Sequence, residues 1–175
     1  MSRRILLIRA VNVGGTGTLP MAQWRGLAES LGARDVSTYI ASGNMVCTPP
    51  DDGDAFERAL ETAVEQQYGF FREVISRSRE EMIAALEAYP FEIVEPKFSY
   101  ISFLAGAPSR AAIAKAGEAE TGDDRWQVIG TELHLRFANG AGRSELNQTA
   151  LGQALGVAGT ARNLNTVRKL IELAR

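Results

Sequence analysis

One cysteine and one histidine occur in 175 residues. The lone Cys47 excludes an intrachain disulfide and a thiolate metal cluster, and the lone His134 excludes a His-pair metal site. A Ser-His-Asp or Cys-His triad is left with a single candidate base. Long apolar runs are also missing. The first, Ile5-Leu6-Leu7-Ile8, falls far short of the roughly 20 residues of a membrane span. Arg9 interrupts it before it reaches the roughly 7 to 15 apolar residues of a secretory signal. No membrane attachment and a cytoplasmic location are therefore expected. Excess charge is absent too: 19 Lys+Arg oppose 21 Asp+Glu, for a net charge of −2. The resulting pI of about 5.5 disfavours nucleic acid as a partner.

With 45% hydrophobic and 23% charged residues, the composition excludes a disordered tail, a collagen-like repeat and a disulfide scaffold. The length suits one globular domain, or two small ones.

Arg4 to Val11 reads as a buried strand ending in the turn-forming Asn12-Val13-Gly14-Gly15. After Pro20, suited to a first helical turn, Met21, Trp24, Leu27, Ala28 and Leu31 fall on one helical face, and Gly32 provides a stop. Val36 to Ile40 and Asn44 to Thr48 form a hairpin around Ser42-Gly43. Asp54 is suited to cap a helix with Phe56, Leu60, Ala63 and Val64 inside, and Phe71 to Ser76 reads as a fourth strand. The order is β-α-β-β-α-β.

It then repeats. Ser78 and Glu81 form a capping box opening a linking helix that stops at Pro90. Phe98 to Leu104 is a strand, and Ser109 caps an alanine-rich helix. Trp126 to Ile129 and Leu133 to Phe137 are strands joined by Gly130-Thr131, suited to a type II′ turn. Ser144 is expected to cap a helix ended by Gly156, and Val157 to Thr160 is a candidate degenerate strand. Leu164, Val167, Ile171 and Ala174 share one face of a last helix. The expected fold class is α+β: two tandem ferredoxin-like subdomains, split βαβ or alpha–beta plaits, with mostly antiparallel sheets. The first plait covers 1–78, a linking helix and loop 79–97, and a second, partly degenerate plait with a C-terminal helix 98–175. A doubly wound parallel sheet is the alternative, but hairpins oppose it, since parallel neighbours need long crossovers.

In such a plait the end of the first strand and the turn between the second and third share one sheet edge. That edge would carry Arg9, Asn12, Gly14 and Gly15 from one segment, and Ser42, Gly43 and Asn44 from the other. Glycine lets backbone approach a ligand closely, and Arg, Ser and Asn supply donors for an oxyanion. The competing reading gives the glycines and Asn44 to tight turns and satisfies Arg9 with loop carbonyls. Gly14-Gly15-Thr16-Gly17 completes neither a triphosphatase phosphate loop nor a dinucleotide fingerprint.

A second polar group comprises Thr160, Arg162, Asn163, Asn165, Thr166, Arg168 and Lys169; its first members open the last helix, where free N–H groups favour anions, while Arg168 and Lys169 read as a solvated helix face. Thr160 or Asn163 is equally a helix cap. Arg162 and Asn163 join the candidate ligand-binding residues. His134 alternates with Leu133 and Leu135, so an exposed edge position is expected. Cys47 reads as a small buried hydrophobe, and Trp24 and Trp126 as core. Glu80 and Glu81 suit a helix start and make no general acid–base pair.

Three stretches together resemble a bacterial family, the domain-of-unknown-function family numbered 1697. They are Leu7 to Gly15, Thr38 to Val46, and Thr160 to Leu170 with Arg162-Asn163-Leu164-Asn165-Thr166-Val167. The resemblance implies two alpha–beta plait subdomains and no established activity, substrate or cofactor. The chain departs from the family pattern at Ala10, where glycine is usual, and at Thr16-Gly17-Thr18, where lysine often follows the paired glycines. It departs again at Leu164, where tryptophan is common. The missing lysine weakens a phosphate clamp, and the missing indole removes a stacking surface.

Four readings follow. The first is a module binding a small anion, a nucleotide or phosphorylated metabolite, through Arg9, Asn12 and the Ser42-Asn44 turn. The second is an enzyme of unknown reaction using Arg9 and Arg162 electrostatically, with Ser42 the only nucleophile to test. The third is an RNA-binding plait, opposed by the acidic pI and the lack of an aromatic RNA-recognition motif. The last is a protein-interaction module. No metal or cofactor is expected.

Overall fold

A computed structural model describes residues 2–51 and 54–175. Among the described residues the fold is mixed α+β, with two four-stranded antiparallel sheets and six α-helices. It divides into two compact units, Met1–Ile83 with Lys169–Arg175, and Ala84–Arg168. The C-terminal residues are tied to the first unit by arginines: Arg3 Nη1 donates to the Leu173 and Arg175 carbonyls at 3.0 and 2.9 Å, and Arg79 Nε to that of Ile171 at 3.1 Å.

The first unit runs β1 (Arg4–Ile8), α1 (Met21–Ser30), β2 (Arg34–Tyr39), β3 (Asn44–Thr48), α2 (Ala55–Tyr68) and β4 (Val74–Ser78), with sheet order β2-β3-β1-β4. Antiparallel pairing sets Leu7 opposite Asn44 and Ile8 opposite Val74. The C-terminal end of β1 therefore lies beside the start of β3 and the start of β4. Alternation along β1 sends Leu6 and Ile8 into a core with Met45, Cys47, Val74, Trp24, Ala28, Phe56, Leu60 and Val64.

Strand β1 stops at Ile8, three residues sooner than the apolar run implies, because Ala10 and Asn12 adopt left-handed φ of 48° and 56°. Strand β4 begins three residues later than expected, at Val74. Asp54 stands before α2 but makes no side-chain cap bond, its own backbone being helical (φ −78°, ψ −4°) rather than extended as a cap requires. At Ser78 the expected capping box is complete. The Glu81 N–H donates to Ser78 Oγ at 3.0 Å, and the Ser78 N–H donates to Glu81 Oε2 at 2.6 Å, opening α3 (Arg79–Glu87) with no intervening loop.

The second unit contains β5 (Ser99–Leu104), α4 (Arg110–Ala116), β6 (Arg125–Ile129), β7 (Glu132–Arg136), α5 (Gln148–Leu155) and β8 (Gly159–Asn163), with order β6-β7-β5-β8. The last helix, α6 (Leu164–Leu173), follows directly. Leu104, Leu133, Leu135 and Phe137 form a core with Leu146, Leu151 and Leu155. Ser109 caps α4 as expected, accepting from the Ala112 N–H at 3.0 Å.

Helix α5 is capped by Asn147 rather than Ser144, its Oδ1 accepting from the Ala150 N–H at 2.9 Å. The Ser144 hydroxyl is used elsewhere, its one proton shared between the Leu146 carbonyl at 2.6 Å and Asp124 Oδ2 at 3.2 Å. The candidate degenerate strand is β8, paired along β5 from Leu104–Gly159 to Tyr100–Asn163. Leu170, rather than Ile171, completes the buried stripe of α6.

The expectation of an exposed edge histidine is overturned. Strand β7 lies between β5 and β6, so it is not an edge, and His134 is fully buried. Its ring stands edge-on to Tyr89, with centroids 5.7 Å apart. Alternation does set it opposite Leu133 and Leu135, but both faces of that strand are covered. Burial pushes the imidazole pKa down, opposed by the charge of Glu132.

Candidate functional site

The geometry at the end of β1 follows from three backbone connections. The Ile8 N–H donates to Gly43 O at 3.0 Å, the Arg9 N–H to Glu73 O at 3.0 Å, and the Asn12 N–H to Gly17 O at 3.0 Å. The loop after β1, the β2–β3 turn and the segment entering β4 thus meet at one edge of the first sheet. Asn12 binds the first two together: Nδ2 donates to Ala41 O at 2.7 Å and to Leu19 O at 2.9 Å, while Oδ1 accepts from the Leu19 N–H at 2.8 Å. Asn44, fully buried, donates to Tyr39 O at 2.9 Å and Ser42 Oγ at 3.0 Å. Both amides hold the frame.

Gly43 is required by packing as well as by its φ of 86°. A Cβ there would fall 2.3 Å from Ile8 Cγ2 and 2.8 Å from Val11 Cγ2. Gly14 and Gly15 differ. They occupy the centre of a tight turn closed by the Thr16 N–H on Val13 O at 3.2 Å. Their φ values are 62° and 75°, the signs a type I′ turn needs. A Cβ on either would meet nothing within 4 Å, so the turn is open on its outer side.

Ala10, Asn12 and Ile40 are three of the four described non-glycine residues with positive φ, and all lie in these two segments. For the β-branched Ile40, at 50°, this is a genuine outlier. Each such residue costs about 1–3 kcal/mol, sustained only where surrounding bonds over-determine the backbone. The Asn12 bonds supply that constraint.

Arg9 reaches Glu73 at 3.4 Å, with the two side chains 47% and 30% exposed. An ion pair that open to water contributes only about 0–1 kcal/mol, so a ligand anion could replace it at little cost. A second cation lies at the same edge. Arg72 donates from Nε to Ala10 O at 3.3 Å and from Nη1 to Phe71 O at 2.8 Å, and sits 5.0 Å from the Phe70 ring centroid. Sequence reasoning missed it because the expected strand Phe71 to Ser76 absorbed it. Val13, Ile40 and Phe71, 61%, 51% and 46% exposed, come from the same three segments.

Arg162 and Asn163 belong to the second unit. Arg162 is only 7% exposed and donates from Nη1 to Thr160 Oγ1 at 2.6 Å and Ala161 O at 2.9 Å. Burial pushes its pKa down to about 10. Asn163 caps α6, its Oδ1 accepting from the Thr166 N–H at 3.0 Å. Cys47 is buried, and its thiol is pushed up to about 12 by that burial. It is therefore no thiolate nucleophile at neutral pH.

Asp124 carries no local motif that marks it out. It is buried and accepts four bonds, from the N–H groups of Ala138 (2.9 Å), Glu145 (2.7 Å) and Leu146 (3.0 Å), and from Ser144 Oγ (3.2 Å). Burial alone would raise its pKa. The backbone bonds from Leu146, Ala138 and Glu145, with the Ser144 hydroxyl, outweigh burial and hold it below the usual value. Asp124 organises the chain ahead of α5. Among the described residues no group of three or more His, Cys, Asp or Glu is placed to hold a metal, and no helix is long and apolar enough to cross a membrane.

A family model described as a protein of unknown function, DUF1697, matches residues 1–134. Among solved structures, conserved bacterial protein SP0830 from Streptococcus pneumoniae is similar over 99% of each chain, with a TM-score of 0.74 and 23% identity. That likeness concerns the fold. No curated protein matches.

Proposed function

The chain belongs to the DUF1697 family of proteins of unknown function, and from its own geometry we propose that the first unit binds a small anionic ligand, a nucleotide or phosphorylated metabolite, at the loop edge beyond β1. Arg9 is the charged contact, and the open Gly14-Gly15 turn lets backbone approach the ligand. Ser42 stands at the turn across from them. Asn12, Gly43 and Asn44 act by holding the frame, and Arg72 adds positive charge. Arg162 and Asn163 are assigned structural roles in the second unit.

The observation that carries this reading is the arginine itself. It is half-exposed and held by one weak ion pair, on a backbone fixed by left-handed residues and the Asn12 bonds. The finer fold reading, a ferredoxin-like plait in each unit, is supported by the β-α-β-β-α-β order and the two matching sheet orders. A bacterial cytoplasmic setting completes the proposal, supported by the bacterial origin of the structural relative.

The test is a thermal-shift screen against nucleotides, sugar phosphates and simple oxyanions, repeated with Arg9→Ala. A ligand that stabilises the parent should bind the variant about 1.5–3 kcal/mol more weakly, the range for a charged hydrogen bond. Equal stabilisation of both proteins removes Arg9 from the role.

A further inference from the structure

Within the second unit, a cavity of about 250 Å³ opens between the segment before β5 and the end of β7, lined by Val94, Glu95, Phe98, Ser99, Arg136, Phe137 and Ala138. We propose that it binds a free apolar α-amino acid, with Arg136 taking the carboxylate, Glu95 the ammonium, and Phe98, Phe137 and Val94 the side chain. This goes beyond the anion site and shares no residue with it.

Size comes first. Pockets for drug-sized ligands hold roughly 300–1,000 Å³, so this one suits a molecule about as large as a single amino acid. The walls are apolar and fixed. Phe137 is buried, its ring edge-on to Tyr100 at 5.4 Å. Phe98 packs against Gly140, where a Cβ would stand 3.0 Å from Cε1, and Lys97 Nζ lies 5.2 Å from its ring centroid. Phe98 and Phe137 are joined by the Phe137 N–H on Phe98 O at 2.9 Å.

The lining carries one cation and one acid, and no ion pair joins them among the described residues. Arg136 donates from Nη2 to the Asp123 carbonyl at 3.0 Å, and its buried Nε has no hydrogen-bond partner among the described residues. Among the described residues no ion pair joins its guanidinium to a carboxylate. A pocket lined by one arginine, one glutamate and aromatic rings complements a zwitterion with an apolar body better than a lone anion or a lone cation. Ser99, opposite Arg136 in the β5–β7 ladder, donates its hydroxyl to the Glu95 carbonyl at 3.4 Å.

Binding is measured on the full chain by NMR titration and calorimetry with L-phenylalanine, L-leucine, L-methionine and L-tryptophan. The single-charge controls are 3-phenylpropionate and 2-phenylethylamine. At least one amino acid should bind, with both controls about tenfold or more weaker, as expected for loss of one charge-assisted bond. Arg136→Gln should weaken the amino acid by about the same factor. Ala138→Trp, at an exposed position, should block the cavity while leaving Arg136 in place. Arg9→Ala should change nothing, which separates this site from the anion edge. The proposal is overturned if none of the four amino acids binds up to about 10 mM. It is equally overturned if a single-charge control matches the best amino acid, or if Ala138→Trp binds as tightly as the parent.

Discussion

Asn12 Nδ2 and the Ala41 carbonyl lie 2.7 Å apart, joining the loop after β1 to the β2–β3 turn across 29 residues of sequence. The same side chain exchanges two further bonds with Leu19. Asn12→Ala removes all three while leaving the left-handed backbone to an alanine. A loss of about 2 kcal/mol or more is expected in urea unfolding. Asn12→Gly keeps the backbone conformation but not the bonds, and should remain clearly destabilised. A fully stable Asn12→Gly would mean that conformation, not bonding, selects asparagine.

Two glycines at the same edge should behave differently. In Gly43→Ala the new methyl collides with Ile8 and Val11 in addition to the backbone cost. In Gly14→Ala only the positive φ is penalised, by about 1–2 kcal/mol. Gly43→Ala should therefore be the worse of the two by roughly 1–3 kcal/mol, the usual cost of overpacking. Equal unfolding midpoints for the two variants would contradict the packing described at Gly43.

Acid should weaken the second unit in two windows. His134 has its folded pKa below the ordinary value of 6.5, so its neutral form is favoured by folding. That contribution is complete above pH 6.5 and is lost as pH falls from there through the folded pKa. Burial dominates the shift, Glu132 opposes it, and Arg162 shares the face through the register His134–Ile101–Arg162. Asp124 is also depressed, from 3.8, so its contribution stays intact until pH drops toward that value and then falls away through the folded pKa. His134→Phe should remove the upper window from a pH series of unfolding free energies, and Asp124→Asn the lower one. Asp124→Asn should also cost about 1–3 kcal/mol at neutral pH, because an amide cannot accept all four donors. A parent protein equally stable at pH 7 and pH 5 would refute the histidine assignment.

Much of the fold was readable because it is local. The capping box at Ser78, the cap at Ser109 and the stop at Gly156 are short-range chemistry, and each stands where the residues imply. Strand ends were less legible. β1 stops short because Ala10 and Asn12 take left-handed conformations, disfavoured for alanine, that are held by bonds from distant residues. Arg72 was hidden by the same uncertainty at the start of β4. Alternation set His134 apart from Leu133 and Leu135, yet a period of two cannot reveal that a second face is also covered. Asp124 collects its donors from 14 to 22 residues away, and nothing near it in sequence announces them.

Ser78 is both the last residue of β4 and the cap of α3, and Asn163 stands likewise at the junction of β8 and α6. In each unit the fourth strand is clamped at its far end by the helix it becomes. Sliding that strand by one residue along its neighbour would pull the capping side chain off its N–H group as well as exchange inward and outward faces. The junction thus works as a mechanical stop, giving these end strands a registration mark that side-chain alternation alone does not provide.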